Sequence, residues 1–249
     1  MATEMTQPAS PGAPRTEPGP ARRFAGVFFD PVSTFASIVR EPDFWTPLIA
    51  LMAIAAAAAE LILARVGMER IIRSSLEASG RAKGLSPEQI QKAVGAGARV
   101  GTVFAHLSFI TVPIFLIIVA AVGMLILKAG FGLEIRFREA FSVTTYASLP
   151  NFLAGILGLV VIGLGDPAQF NPKNFIPASV GFFLSPQSVS PALYALATSL
   201  NLFTFWCMAL LGIGFAATVG RKVRPRTIFF CFLGLWVVWT LLKTGAAAI

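Results

Sequence analysis

Five long apolar runs constrain this chain more than anything else in it: Thr46–Val66, Val103–Leu127, Tyr146–Gly165, Leu193–Val219 and Ile228–Ala247. A helix needs about 20 mostly apolar residues to cross a hydrocarbon core of roughly 30 Å. Inside lipid, every backbone N–H and C=O must find its partner within the protein, which leaves helices and closed barrels. The ten-residue alternation of a barrel strand is missing from the sequence. The chain is therefore expected to be an all-α integral membrane protein, a five-transmembrane-helix bundle. Composition agrees, since 55% of residues are hydrophobic and 13% charged, whereas soluble domains carry about 25% charge. The same numbers exclude wholesale disorder, which needs low hydrophobicity and high net charge.

The tail differs. Met1–Pro20 holds five prolines and cannot bury enough surface to order itself. Residues 1–22 are expected to be a disordered, Pro-rich cytoplasmic tail, either without function or carrying a short docking motif. Residues 23–249 form the membrane domain, and the first 45 residues hold no apolar stretch of a secretory leader. The net charge of +8 does not point to nucleic acid, because the basic residues sit between and at the ends of the apolar runs. Cys207 and Cys231 fall at depths of about 18 and 6 Å by the ~1.5 Å helical rise, too unequal for a disulfide.

Lys and Arg mark cytoplasmic flanks. Arg15, Arg22, Arg23 and Arg40 precede the first run, Lys128, Arg136 and Arg138 follow the second, and Arg221, Lys222, Arg224 and Arg226 follow the fourth. Alternation puts these three groups on one side, with the N-terminus cytoplasmic and the C-terminus outside. The connection after the first run disagrees. Its seven basic residues, Arg65, Arg70, Arg73, Arg81, Lys83, Lys92 and Arg99, fall on the outer side.

Three elements lie outside the runs. Phe28–Arg40 reads as a short N-terminal amphipathic helix: Asp30 caps it, Pro31 opens it, and Val32, Phe35, Ala36 and Val39 form one stripe. It either lies along the inner membrane surface or packs on the spans. After the first run comes an extramembrane helical hairpin, Met68–Ala78 and a second helix opened by a Ser86–Gln89 capping box. Gly95, Gly97 and Gly101 allow that second helix a close neighbour. The apolar stretch Phe175–Leu184 is too short to span, so it is expected to be re-entrant or interfacial. Pro113 is expected to kink the second span.

Polar groups inside spans mark candidate sites. Glu60, His106 and Asn201 share the outer third of the bilayer, where they either form an intramembrane cluster able to relay protons or hold a cation, or meet water and nearby arginines separately. Arg221, Lys222, Arg224 and Arg226 are candidate contacts for anionic lipid headgroups. Tyr146, Pro150 and Asn151 are a candidate partner surface, the alternative being interface anchoring and a helix start. With one histidine, and no P-loop, GxSxG elbow, HExxH or CxxC pattern, the sequence carries no signature of catalysis, a cofactor or a metal.

The segment from Phe28 to Phe35 (FFDPVSTF), running into Trp45 and Pro47, resembles the opening helix of prokaryotic Yip-domain proteins. So does Met68–Val94, with its Met68-Glu69-Arg70 start and Ser86-Pro87-Glu88-Gln89-Ile90. Phe137-Arg138-Glu139-Ala140-Phe141 followed by Tyr146 and Pro150 is similar to that family's Tyr-x-x-x-Pro opening of the third helix. The resemblance covers residues 24–245. It implies a five-helix membrane domain with a cytoplasmic N-terminus and a short external C-terminus, here in a bacterial plasma membrane. Eukaryotic members associate with Rab-type GTPases, but their Asp-Leu-Tyr-Gly-Pro-type segment is not evident in this chain, so that partner is not carried over. The function expected is that of a non-enzymatic membrane organiser or partner-binding subunit, self-associating or bound to another membrane protein. The alternative is a small transporter or channel built on Glu60, His106 and Asn201.

Overall fold

The computed structural model describes residues 19–78, 80–166, 176–185 and 188–248. Most of the Pro-rich tail, and Phe175, lie outside the described residues. Helix α1 spans Pro20–Phe29 and α2 spans Pro31–Arg40, so helix begins within the stretch assigned to the tail. The break falls at Asp30, whose carboxylate accepts from the Ser33 backbone N–H at 3.3 Å and from its hydroxyl. Those two hydrogen bonds, the hydroxyl's first, hold the Asp30 carboxyl below its ordinary pKa.

Helix α2 packs against the helices Leu202–Thr218 and Phe137–Ala147. Its buried face is Thr34, Phe35, Ser37 and Ile38, while Val32 is exposed. The expected stripe of Val32, Phe35, Ala36 and Val39 is therefore rotated. Two polar residues take part in the buried face because each has a partner: Thr34 Oγ1 donates to the Asp30 carbonyl and Ser37 Oγ accepts from Arg23.

Among the described residues, four helices are long and apolar enough to cross a membrane: α3 (Trp45–Arg65), Ser108–Phe131, Phe137–Leu164 and Pro225–Ala247. The second comprises a 3-10 turn at Ser108–Ile110 and α6 (Thr111–Phe131). The third joins α7 (Phe137–Ala147) to α8 (Pro150–Leu164) through a tight turn, nine residues before the expected start. The last lies within α11 (Pro225–Ala248). Between α3 and α6 stands the expected hairpin of α4 (Met68–Ala78) and α5 (Pro87–His106), with both halves of the Ser86–Gln89 capping box formed. Helix α5 ends at His106, so the run 103–127 is not one helix. Pro113 is the third residue of α6, where an N–H has no intrahelical partner to lose.

The fourth run is also divided. Helix α9 (Pro191–Ser199) and α10 (Leu202–Thr218) are separated at Leu200–Asn201, and α10 alone has 17 residues. At the break an extended segment pairs with the chain: Val180 N–H donates to the Leu200 carbonyl at 3.1 Å and Leu202 N–H to the Ala178 carbonyl at 2.9 Å. The 3-10 turn Val180–Phe183 then seats Gly181 on Thr198, so tightly that a Cβ there would lie 2.8 Å from the Thr198 backbone nitrogen.

One core cluster joins the ends of these elements. Val27, Phe35 and Leu48 from the N-terminal segments meet Leu127, Val143, Phe215, Val223 and Ile228. Since these come from the start of α3 and α11 and the end of α6 and α10, the core lies towards one end of the bundle. At the other end Arg65 Nη2 donates to the Gly163 carbonyl at 2.7 Å, tying α3 to α8.

Glycines set the closest approaches. A Cβ on Gly123 of α6 would lie 2.1 Å from Phe215 Cζ, and one on Gly214 of α10 would lie 2.4 Å from Val143 Cγ1. Phe215 is fully buried and cannot swing away. Overpacking of this kind costs about 1–3 kcal/mol. Gly123→Ala is expected to lower stability by that amount, read as an earlier thermal unfolding midpoint in detergent. Gly130→Ala on the same helix, where a Cβ meets open space, should not.

Candidate functional site

The most elaborate polar arrangement was not visible as a site in the sequence. Arg23 lies on the buried face of α1, its side chain 5% exposed. Its Nε donates to Ser37 Oγ at 3.0 Å, its Nη1 to the Glu41 carbonyl at 2.9 Å, and its Nη2 to Glu41 Oε2 at 3.2 Å. A buried cation is tolerated only when paired and hydrogen-bonded, and here one guanidinium fork clasps the last turn of α2 and the Glu41 that follows it. Two residues on, Asp43 Oδ2 accepts a long 3.4 Å hydrogen bond from Tyr146 Oη of α7. The linker 41–44 thus carries polar contacts to α1 and α7. Aromatic contacts flank it: Phe24 meets Phe152 edge-on at 5.5 Å, and Phe28 meets Trp206 at 5.7 Å.

The guanidinium donates every one of its bonds, and together they fix α1 to α2 and its linker. One signal in the sequence marks this arrangement: Arg23 and Val27 stand at i and i+4, on the face that α1 buries.

The candidate cluster is brought together only in part. His106 Nδ1 lies 2.6 Å from Glu60 Oε1, linking the last turn of α5 to α3, with side chains 52% and 57% exposed. The Asn201 side chain does other work: it caps α10, accepting from the Phe203 N–H at 2.9 Å. Asn201 is thus a helix start, not a residue inside a continuous span.

Of the candidate partner surface, Tyr146 and Pro150 are buried and only Asn151 is exposed. The whole of α7 from Ala140 to Ala147 is buried, which follows from its place against α2, α6 and α10. Asn151 lines an apolar groove of about 360 Å³ between α3, α6 and α8; Glu60, His106 and Asn201 are not among its lining residues.

Arg221, Lys222, Arg224 and Arg226 are all exposed. Among the described residues none has an acidic partner within 4 Å. Arg221, Lys222 and Arg224 lie in the turn that ends α10, and Arg226 is the second residue of α11; Gly220 and Arg221 are both left-handed, with φ of 59°. Arg221 N–H donates to the Ala216 carbonyl at 2.8 Å and Gly220 N–H to Ala217 at 3.1 Å, the paired closure of a Schellman motif. Val223 anchors the turn in the core.

Comparison with known proteins decides the family. The Yip1 domain model matches residues 25–244, from within α1 almost to the end of α11. The chain belongs to the Yip1 domain family. No curated protein and no solved structure gives a significant match. The matched region contains the Arg23-clasped α2, the Glu60–His106 contact and the basic turn, so all three belong to the Yip1 domain itself, although Arg23 stands two residues before its boundary. The resemblance of Phe28–Phe35, Met68–Val94 and Phe137–Pro150 to this family is thereby supported.

Removing the Arg23 clasp should loosen α1 and α2 before anything else. A hydrogen bond to a charged group contributes roughly 1.5–3 kcal/mol, and the exposure of Glu41 argues for the lower end. Arg23→Gln is expected to speed proteolysis between α1 and α3 several-fold in detergent while Gly130→Ala leaves it unchanged. Equal cleavage of the Arg23 variant and the parent would show that the clasp does not hold α1.

Proposed function

We propose that this Yip1-domain protein works without catalysis, as a membrane-organising or partner-binding subunit fixed in a bacterial plasma membrane. The chain passes the bilayer five times, α9 and α10 together making the fourth pass, with the N-terminus cytoplasmic and the C-terminus outside. Its basic turn contacts anionic headgroups. The observation that carries this reading is the turn itself. Four cations without acidic partners among the described residues gather where a Schellman closure ends α10 and α11 begins, beside Val223 in the core. Near a membrane surface each cation is worth about 1 kcal/mol towards anionic lipid. The other two basic groups expected on this side, around Arg22 and from Lys128 to Arg138, belong to elements that join the same core cluster, which supports the orientation.

Replacing Arg221, Lys222, Arg224 and Arg226 by Gln is expected to reduce retained phosphatidylglycerol in native mass spectrometry or to disturb topology, read by labelling of engineered cysteines on either side. If bound lipid and topology are both unchanged, the turn has another role. Partners are to be sought by capture from native membrane with mass spectrometry of proteins and lipids.

A second reading rests on the 2.6 Å contact between Glu60 and His106. A carboxylate and an imidazole so close are able to pass a proton, as a small transporter would require. Glu60→Gln separates the two readings in proteoliposomes. A transporter loses proton flux, whereas a contact that merely ties α5 to α3 shows none in either form.

A further inference from the structure

The seven cations between Arg65 and Arg99 run against the orientation of every other basic group, and the structure offers a reason in the faces of α5. One face is spent on α4: Val94 and Ala98 are buried, a Cβ on Gly97 would stand 3.0 Å from Ile72, and one on Gly101 would stand 2.8 Å from Met68. The glycines therefore serve the hairpin rather than a dimer.

A second face is apolar and uncovered. Val100, Val103, Phe104 and Leu107 stand at i, i+3, i+4 and i+7, exposed by 57, 57, 70 and 46%. At 100° per residue, Lys92 and Arg99 lie beside each other along the edge of this stripe, and both are exposed.

What covers the stripe follows from where it leads. Its apolar surface continues through Ile110 into Ile114, Phe115 and Ile118 on α6, all exposed, and α6 belongs to a segment apolar enough to cross a membrane. The neighbouring residues carry the charge a phospholipid surface complements: seven basic residues against Glu69, Glu77 and Glu88 over residues 65–102. An apolar stripe edged by cations is the pattern of a helix lying in the interfacial layer, its apolar face about 5–10 Å deep.

We infer that the last two turns of α5 are immersed in the bilayer interface and that the α4–α5 hairpin rests on anionic phospholipid, with Lys92 and Arg99 reaching its phosphates. The long stems of both residues allow the charge to stay at headgroup level while the helix lies lower. This rests on α6 crossing the membrane. Cations bound to phosphate at the surface of one leaflet need not mark the cytoplasm, which removes the conflict over orientation.

The test uses full-length protein with Cys207→Ala and Cys231→Ala, reconstituted in phosphatidylcholine vesicles with or without phosphatidylglycerol. A fluorophore is placed in turn by Phe104→Cys, Val100→Cys, Gln91→Cys or Ile118→Cys, and quenched by iodide or by nitroxide on lipid chains. Phe104→Cys and Val100→Cys, like Ile118→Cys, should be quenched several-fold more by the lipid nitroxide than Gln91→Cys. Adding Lys92→Gln and Arg99→Gln, or omitting phosphatidylglycerol, should move the Phe104→Cys signal towards iodide. If positions 100 and 104 behave like 91 while 118 stays lipid-exposed, the inference fails and the membrane crossing by α6 stands. Protection from both quenchers would mean protein covers the stripe and also overturns it. Lipid exposure indifferent to lipid charge and to the two substitutions would overturn the anionic contact. Iodide access at 118 would remove the crossing and the inference together.

Discussion

Close approach of helix backbones is what this bundle depends on. Within lipid the hydrocarbon surroundings are as apolar as a leucine side chain, so helices gain little by hiding apolar surface from them and associate through packing, which small residues permit. Gly214 supplies the point where α10 meets both α2 and α7, because its missing Cβ leaves room for Val143 and for the ring of Phe35. Gly123 does the same for Phe215 between α6 and α10. With these contacts made, α7 is enclosed from Ala140 onward, and its small and hydroxyl side chains become intelligible. Thr145 and Ser148 return their hydroxyls to carbonyls one turn back, at 2.7 and 2.8 Å, so a buried helix can carry them without a distant partner. For the buried hydroxyls of Ser142 and Thr144, which have no partner among the described residues, packing gives no account.

The same constraint explains which parts of the fold were legible in the sequence. A run such as 46–66 declares a helix by length and apolarity, and α3 follows it closely because nothing in it competes with the helical backbone. The run 193–219 is just as apolar, but it contains Asn201, whose side chain can satisfy the backbone of the next helix. A hydropathy average does not register that choice, which becomes favourable only when the segment around Ser179 arrives to pair with the opened chain. The break before α6 is of the same kind. Pro113 marks the region, but the helix yields six residues earlier, at Leu107, where the 3-10 turn precedes a first turn that needs no N–H from proline.

Charges were legible by position and not by environment. Arg22 and Arg23 are adjacent and count equally as cytoplasmic flank, yet the helix turns Arg22 to the surface and Arg23 onto Ser37 and Glu41. Only helical phase separates them, and that phase depends on a helix beginning at Pro20, inside a stretch whose composition reads as disordered. Likewise the pairing of Glu60 with His106 follows from α5 ending where it does. A single helix through residue 106 would not present His106 in a last turn beside α3. The hairpin that brings it there comes from Ser86, Gln89 and the glycines facing α4, each readable beforehand and none of them pointing to Glu60.

The contrast between the two basic clusters turns on what their backbones allow. At Gly220 and Arg221 the chain adopts left-handed geometry and both N–H groups close onto α10, so the four cations gather at one turn and the start of α11. In α4 and α5 the cations are spread over some thirty residues, and Arg73 has its own partner in Gln91 at 2.9 Å. A compact cluster beside a helix end acts on the nearest membrane surface as one charge, which is how it biases the direction of insertion. Dispersed cations beside an exposed apolar stripe instead divide a helix into a side that favours lipid chains and a rim that favours phosphate. Counting charge treats the two alike. The physical difference lies in how the charge is disposed: gathered at one helix end in the first case, and set along the edge of the exposed stripe of Val100, Val103 and Phe104 in the second.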